Sequence, residues 1–309
     1  MTENKSKKDT PQPPSVEEID ISNVGNYDAV SKKDPEVKKV AEKKKSVNKG
    51  KRASKFNFAE EEVVPLPSGG RLYSRVTEDE DILNGRIKLL PMTAREEEIL
   101  STTRFIKDGT ATRRVLERCI ASDIDAQDVL LFDSNFLLFY LRQISYGDSY
   151  EFELKCQNSM CEKKFDHEVK ISELNFEELP EDVKEPIKVK LPKSKYTVHL
   201  ILPRLYHSEE INYRYSNRKK STNDEDKRSI DNFMVTTVKV LDDKSDEIDK
   251  KDWEEFFEAL PGMDTAELRE ATDFSTGVDT LKDIECPYCS TDYSGTIPIG
   301  IEFFRFWWK

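Results

Sequence analysis

Apolar and polar side chains alternate over several short stretches of this chain, the period of a strand with one covered face. Tyr150-Glu-Phe-Glu-Leu-Lys155 and Phe165-Asp-His-Glu-Val-Lys-Ile171 form one such pair, and Leu281-Lys-Asp-Ile-Glu285 and the stretch from Tyr293 to Ile299 form another. Each pair is predicted to fold as a hairpin. A third hairpin is predicted from Ile187-Lys-Val-Lys-Leu191 and Tyr196-Thr-Val-His-Leu-Ile-Leu202, turning at Lys193-Ser194. Arg86-Ile-Lys-Leu-Leu90 reads as a further strand, closed by Pro91. Ahead of it, Pro65 and Pro67 hold the chain extended and Gly69-Gly70 permits a sharp turn.

Elsewhere the apolar spacing is that of helices. Thr93-Ala-Arg-Glu96 is a capping box that opens a helix through Leu100 and Phe105. Gly109 separates it from a second helix, Thr112 to Ala121, with Val115, Cys119 and Ile120 facing inward. Phe132-Asp-Ser is expected to cap a third, Asn135 to Ile144, which is apolar nearly all round and therefore buried. Three helices on short polar links suggest one packed unit. From Ser208, read as a helix cap, to Phe274 the pattern is again helical, with a polar break over Asn217 to Lys227. Ile230, Phe233, Met234, Thr237, Val238 and Leu241 fall at amphipathic spacing, and Trp253, Phe256, Phe257 and Leu260 make an aromatic face ended by Pro261-Gly262. Asp264-Thr-Ala-Glu267 is expected to cap the last helix.

The turns of the two outer hairpins carry cysteines, Cys156-Gln-Asn-Ser-Met-Cys161 and Cys286-Pro-Tyr-Cys289. Two sulfurs from one tight turn can reach one ion, and a second such turn completes a tetrahedral shell. Four soft thiolates favour zinc over calcium or magnesium, and a filled shell leaves no position for water, so a structural metal is expected. Buried free thiols or a disulfide are the alternatives. Cys119 lies in the helical pattern as a core thiol, and His167 is a less favoured substitute ligand. His199 and His207 have no partner nucleophile in view and are expected to pack rather than catalyse. The expected fold class is α+β: split zinc-ribbon-like hairpins, a helical N-terminal unit, and a helical insertion between the two cysteine knuckles. The expected divisions are a disordered basic tail (1–55), a strand plus three helices (56–148), the first ribbon hairpin and linker (149–186), a hairpin and helical insertion (187–280), and the second ribbon hairpin with an aromatic C-terminus (281–309).

Charge changes this picture in one respect. Of 309 residues 36% are charged and the net charge is −12, yet up to Lys55 there are 14 Lys or Arg against 9 Asp or Glu, so the body beyond is more acidic still. An acidic body argues against a duplex-DNA binder. A zinc-ribbon nucleic-acid-binding protein remains the alternative function, with Lys155, Lys163 and Lys164 the only basic residues clustered near a knuckle. No apolar run approaches the ~20 residues of a membrane span, and the lysine-rich start lacks a signal-peptide core, which predicts a reducing cytoplasm. No phosphate-cradling glycine loop, His-Glu-x-x-His helix or nucleophile elbow occurs, so no enzyme activity and no small-molecule substrate are expected. Phe303, Phe304, Phe306, Trp307 and Trp308 crowd the last seven residues. Such density predicts docking, either onto the chain's own domain or, as partner-binding anchors, into another subunit.

Pro65-Leu-Pro-Ser-Gly-Gly-Arg-Leu-Tyr73, Leu90-Pro-Met-Thr93 leading into Glu96-Glu-Glu-Ile-Leu100, Ser145-Tyr-Gly-Asp148, Cys286-Pro-Tyr-Cys289 and the aromatic end from Ile297 to Phe304 occur here in a set order. In that order and spacing the chain, from Val63 to Lys309, resembles the baseplate hub assembly proteins of T-even-like contractile-tailed bacteriophages. The resemblance implies a late, non-enzymatic role in virion assembly, through contacts with other hub proteins in the host cytoplasm and with no membrane involved. Whether the protein stays in the tail baseplate of the finished virion is left open. The wide first knuckle, with four residues between its cysteines, departs from the tighter pair such a site would be expected to have.

Overall fold

The computed structural model describes residues 58, 60–218, 228–274, 276–298 and 301–304; the expected tail over 1–55 lies outside them. Within the described residues, short helices alternate with antiparallel strands grouped in four two-stranded sheets and one three-stranded sheet, an α+β arrangement. No helix among them is long and apolar enough to cross a membrane.

β1 (Glu62–Pro65) pairs with β2 (Arg86–Leu89), and Val64, Ile87 and Leu89 are buried. The chain between them folds back on Gly70, at φ +76°, where a Cβ would stand 2.0 Å from the carbonyl oxygen of Ile82. Only glycine fits there. One turn of helix, α1 (Glu80–Leu83), leads into β2, its first N–H groups received by the Asp79 carboxylate.

α2 (Ala94–Ser101) opens where Glu96 accepts the Thr93 backbone N–H at 2.8 Å and the Thr93 hydroxyl at 2.6 Å. It does not run on to Phe105 as expected. The hydroxyls of Ser101 and Thr102 bond back to the Glu97 and Glu98 carbonyls, Thr102 turns extended, and the chain restarts as α3 (Thr103–Lys107). α4 (Ala111–Cys119) buries Val115, Leu116 and Cys119. Ile120 and Ala121, expected in that helix, instead lie along β2, where the Ala121 N–H donates to Lys88 O at 2.8 Å.

α5 (Leu131–Tyr146) is the central helix, and Phe136, Leu137, Leu138, Phe139 and Leu141 are buried. It starts at Leu131 rather than Asn135, so Asp133 sits in its first turn instead of its cap. There the buried carboxylate accepts the Ser68 N–H at 3.0 Å and the Tyr73 hydroxyl at 2.7 Å, while Tyr73 Oη accepts the Leu130 N–H. Burial pushes Asp133 up to about 6, against the pull of its Ser68 and Tyr73 hydrogen bonds and of the Arg204 charge. The Pro65–Tyr73 segment is thus fastened to the central helix by side-chain hydrogen bonds.

Gly147, at φ +90°, turns the chain into a hairpin of β3 (Ser149–Lys155) and β4 (Lys164–Lys170). After β5 (Phe176–Glu177) comes β6 (Ile187–Lys190) paired with β7 (Thr197–Leu200), the third predicted hairpin. α6 (Leu205–Arg218) begins before Ser208, which lies inside it. In its first turn His207 reaches back, its Nδ1 accepting the N–H of Arg204, the residue before the helix, at 3.0 Å. Burial, reinforced by the Arg204 charge, pulls His207 down to about 3, so the imidazole stays a neutral acceptor. His199 is buried in β7, and its pKa too is lowered, chiefly by burial.

α7 (Arg228–Thr236) ends where a helix to Leu241 was expected, and β8 (Thr237–Leu241) joins β7 as the third strand of that sheet. The hydroxyls of Thr236 and Thr237 bond to the Asn232 and Phe233 carbonyls at the helix end, and the β-branched run Thr237, Val238, Val240 suits the pleat. α8 (Trp253–Glu258) and α9 (Gly262–Glu270) cover the sheet, with Val189, Val198, Leu200, Phe233, Trp253 and Phe257 in a second core. Asp264 does not cap its own helix. It reaches across to the β6–β7 turn and accepts the N–H groups of Lys193 and Ser194 at 2.7 and 2.8 Å.

β9 (Gly277–Val278) pairs with β5. β10 (Leu281–Glu285) and β11 (Asp292–Thr296) form the last hairpin, followed by a 3-10 turn at Ile301–Phe304. Arg204, just after β7, donates its guanidinium to the carbonyls of Asp128 and Leu72 and pairs with Glu185.

Candidate metal centre

Each knuckle is the end of a hairpin whose strands carry apolar residues to one side. From β3–β4 come Leu154 and Phe165, and from β10–β11 come Ile284 and Tyr293; these faces meet around the cysteines. Packing them together is what brings sequence-distant sulfurs to one place. The sulfurs of Cys156, Cys161, Cys286 and Cys289 all lie within 4.8 Å of one another.

Specific distances decide what the cluster can be. Cys156 Sγ lies 3.7 Å from Cys289 Sγ, and Cys161 Sγ lies 4.0 Å from Cys286 Sγ. A disulfide needs about 2.05 Å. Sulfurs at the corners of a tetrahedron about 2.3 Å from a central ion stand about 3.8 Å apart. The geometry is compatible with one metal ion held by all four thiolates.

The wide first knuckle is accommodated by a turn shared with the narrow one. In both, the residue after the second cysteine is left-handed, Glu162 at φ +48° and Ser290 at φ +52°. In both, its N–H donates to the carbonyl three residues before that cysteine, Glu162 to Asn158 and Ser290 to Cys286. The first cysteine's N–H donates to Lys163 O in one case and Thr291 O in the other. The backbone around the second cysteine is the same, and Asn158 stands where Cys286 stands. The extra residues carry Cys156 further back along its strand, and the Asn158 side chain closes the added turn by accepting the Met160 N–H.

Cys156 and Cys286 are buried, and Cys161 and Cys289 lie nearer the surface. Burial pushes the Cys156 thiol up, whereas a hydrogen bond with Thr291 pulls Cys289 down. Thr291 Oγ1 is 3.2 Å from Cys289 Sγ and accepts from Asn158 Nδ2 at 3.0 Å, so one residue of each knuckle ties the two together beside the sulfurs. Sequence spacing pointed to the cysteines but not to this bridge; an Asn and a Thr are too common in turns to stand out.

His167 is not in the cluster: it lies opposite Phe152 in the β3–β4 ladder, its ring edge-on to that phenyl at 5.7 Å. Cys119 is a buried thiol between Ile99, Val115 and Leu141. Phe303 and Phe304 are in the main core, Phe303 edge-on to Phe139 and Tyr150, so these two dock onto the chain's own domain. Phe306, Trp307 and Trp308 lie outside the described residues.

A family model described as T4 bacteriophage base plate protein matches residues 60–305. No curated protein and no solved structure matches the chain.

Proposed function

Because the chain belongs to the T4 bacteriophage base plate protein family, we propose that it is a non-enzymatic structural and assembly protein of the tail baseplate hub. In this reading it works through contacts with other hub proteins in the host cytoplasm during assembly. Its core is stabilised by a structural zinc ion on Cys156, Cys161, Cys286 and Cys289.

The observation that carries the metal is the four-sulfur cluster, in which two sulfur–sulfur distances, 3.7 and 4.0 Å, are close to those of a tetrahedral shell. An all-thiolate set suits zinc and leaves no coordination position for a substrate, so the ion's role is architectural. Bound there, it would join β3–β4 to β10–β11 as the two halves of a split zinc ribbon, with the 187–280 block held as an insertion between them. The family match supports the baseplate assignment, and the sequence resemblance to hub assembly proteins supports the hub.

Affinity purification of the tagged full chain from phage-infected cells, with mass spectrometry and metal analysis, tests this. Hub proteins and about one zinc per chain are the expected result. Co-purification of nucleic acid without baseplate proteins would overturn the assembly role in favour of a nucleic-acid module, and zinc-free protein would overturn the metal.

A further inference from the structure

Of the four clustered cysteines only Cys289 is exposed; Cys156 and Cys286 are buried and Cys161 is half-buried. An exposed thiolate is the ligand that competing protons and electrophiles reach first. Two side chains, one from each knuckle, meet at this sulfur. Thr291 Oγ1 lies 3.2 Å from Cys289 Sγ, and Asn158 Nδ2 lies 3.0 Å from that oxygen and 3.9 Å from the sulfur.

The directions of these hydrogen bonds follow from their neighbours. Asn158 Oδ1 accepts the Met160 N–H at 2.9 Å, which turns the amide so that its NH2 faces the second knuckle. That NH2 has only protons to give, so Thr291 Oγ1 accepts from it. A metal-bound thiolate has lost its own proton and can only accept. The hydroxyl proton of Thr291 then has Cys289 Sγ within reach as its acceptor. The three groups form a directed chain, from the Met160 N–H through Asn158 and Thr291 to the sulfur.

The wide first knuckle thereby acquires a reason. Asn158 holds the backbone position, three residues before the second cysteine, that Cys286 holds in the narrow knuckle. With the ligand moved back to Cys156, that position is free to send an amide across to the exposed sulfur of the other turn.

Resting on the four-thiolate reading above, we propose that Thr291 and Asn158 are positioning residues of the metal centre, Thr291 donating its O–H to the Cys289 thiolate and Asn158 orienting that hydroxyl. The hydrogen bond lowers the energy of the sulfur's lone pairs, holds the exposed ligand toward the ion and blunts its reactivity.

Cobalt(II) in place of zinc reads this in the full chain, compared with Thr291→Val, which exchanges only the hydroxyl for a methyl, and Thr291→Ser, which keeps the hydroxyl. The wild type should show the visible bands of tetrahedral four-sulfur cobalt. In Thr291→Val those bands should persist while the sulfur-to-cobalt charge-transfer band moves to lower energy, and zinc affinity in chelator competition should fall about 10-fold. Thr291→Ser should return both toward wild type. Thr291→Ala, which adds no bulk, gives the same reading should Thr291→Val fail to fold. An unshifted charge-transfer band in the hydroxyl-free variant overturns the inference even if affinity falls, and so does a Thr291→Ser band shifted as far as that of Thr291→Val. Wild-type protein without four-sulfur cobalt bands overturns the metal reading itself and this inference with it.

Discussion

The sulfurs of Cys156 and Cys289 approach to 3.7 Å although 133 positions separate them in the chain. Everything between them, including the second core, is thereby enclosed in one loop. If zinc closes it, removing a buried ligand leaves a three-sulfur shell on two hairpins that share only a small apolar contact. Cys286→Ser should abolish stoichiometric zinc and destabilise the fold by roughly 4 kcal/mol or more, in the range where losses of structural metals fall. Metal analysis and chemical denaturation of protein purified under reducing conditions check this; full zinc occupancy in the variant would remove Cys286 from the ligand set.

The carboxylate of Asp133 has a distinct pH signature. Its pKa in the folded chain is about 6, against 3.8 for an ordinary aspartate, chiefly because it is buried. The folded chain therefore holds this proton more tightly than the unfolded one. Between about pH 4 and 6 the native state binds more protons, so the stability contributed by this group falls as pH rises through that window. The groups facing it are the Ser68 N–H, the Tyr73 hydroxyl and the Arg204 charge. A shift of about two units corresponds to roughly 3 kcal/mol. The stability of wild type relative to Asp133→Asn should therefore improve by about 2–3 kcal/mol from pH 7 to pH 4 in urea titrations. An equal difference at both values would mean that Asp133 is not held near neutrality.

Arg142 is a buried cation served by carbonyl oxygens. Its Nε donates to Phe303 O at 2.8 Å, Nη1 to Gly147 O at 2.9 Å and Nη2 to Ser149 O at 3.0 Å, with the rings of Tyr146 and Tyr150 beside it. It thus joins the end of the central helix, the start of β3 and the last described turn. Arg142→Met keeps the stem but leaves three carbonyls without that donor, at about 1–3 kcal/mol for each that stays buried. The variant should be at least about 3 kcal/mol less stable and should be cut by protease beyond Ile297 well before the rest of the chain. A proteolysis pattern identical to wild type would show that Arg142 does not hold this segment.

Much of this architecture is legible in local pattern, and the failures share one cause. The hairpins are readable because period-2 alternation flanks turns with cysteines or Lys193-Ser194. The strand Thr237–Leu241 is not, because Ile230, Phe233, Met234, Thr237, Val238 and Leu241 fit helical spacing. Its pairing with β7 outweighs that local preference. Asp133, Asp264 and Ser208 look like caps from their neighbours alone. Asp133 and Asp264 instead serve N–H and O–H groups far away in sequence, and Ser208 lies inside its helix, its hydroxyl donating to the Leu205 carbonyl. The four cysteines were visible as a set, whereas the Asn158–Thr291 bridge beside them was not.

The C-terminal aromatics divide into two groups with different expected consequences. Phe303 and Phe304 are buried in the main core, Phe303 edge-on to Phe139 of the central helix and Tyr150 of β3, so removing either side chain should cost about 3–5 kcal/mol, as core Phe→Ala changes do. Any truncation that includes them weakens the fold and says nothing about partners. Phe306, Trp307 and Trp308 are the remaining candidates for contact with another subunit, since Trp and Phe anchor interfaces out of proportion to their number. Deleting residues 305–309 alone isolates that role. The shortened chain should keep its zinc and unfold within about 0.5 kcal/mol of wild type, the range of changes that leave the core intact. It should nonetheless lose co-purification with hub proteins from infected cells. If the deletion still assembles into hubs at wild-type yield, the terminal aromatics are not the anchor, and the contact surface must be sought on the described body of the protein.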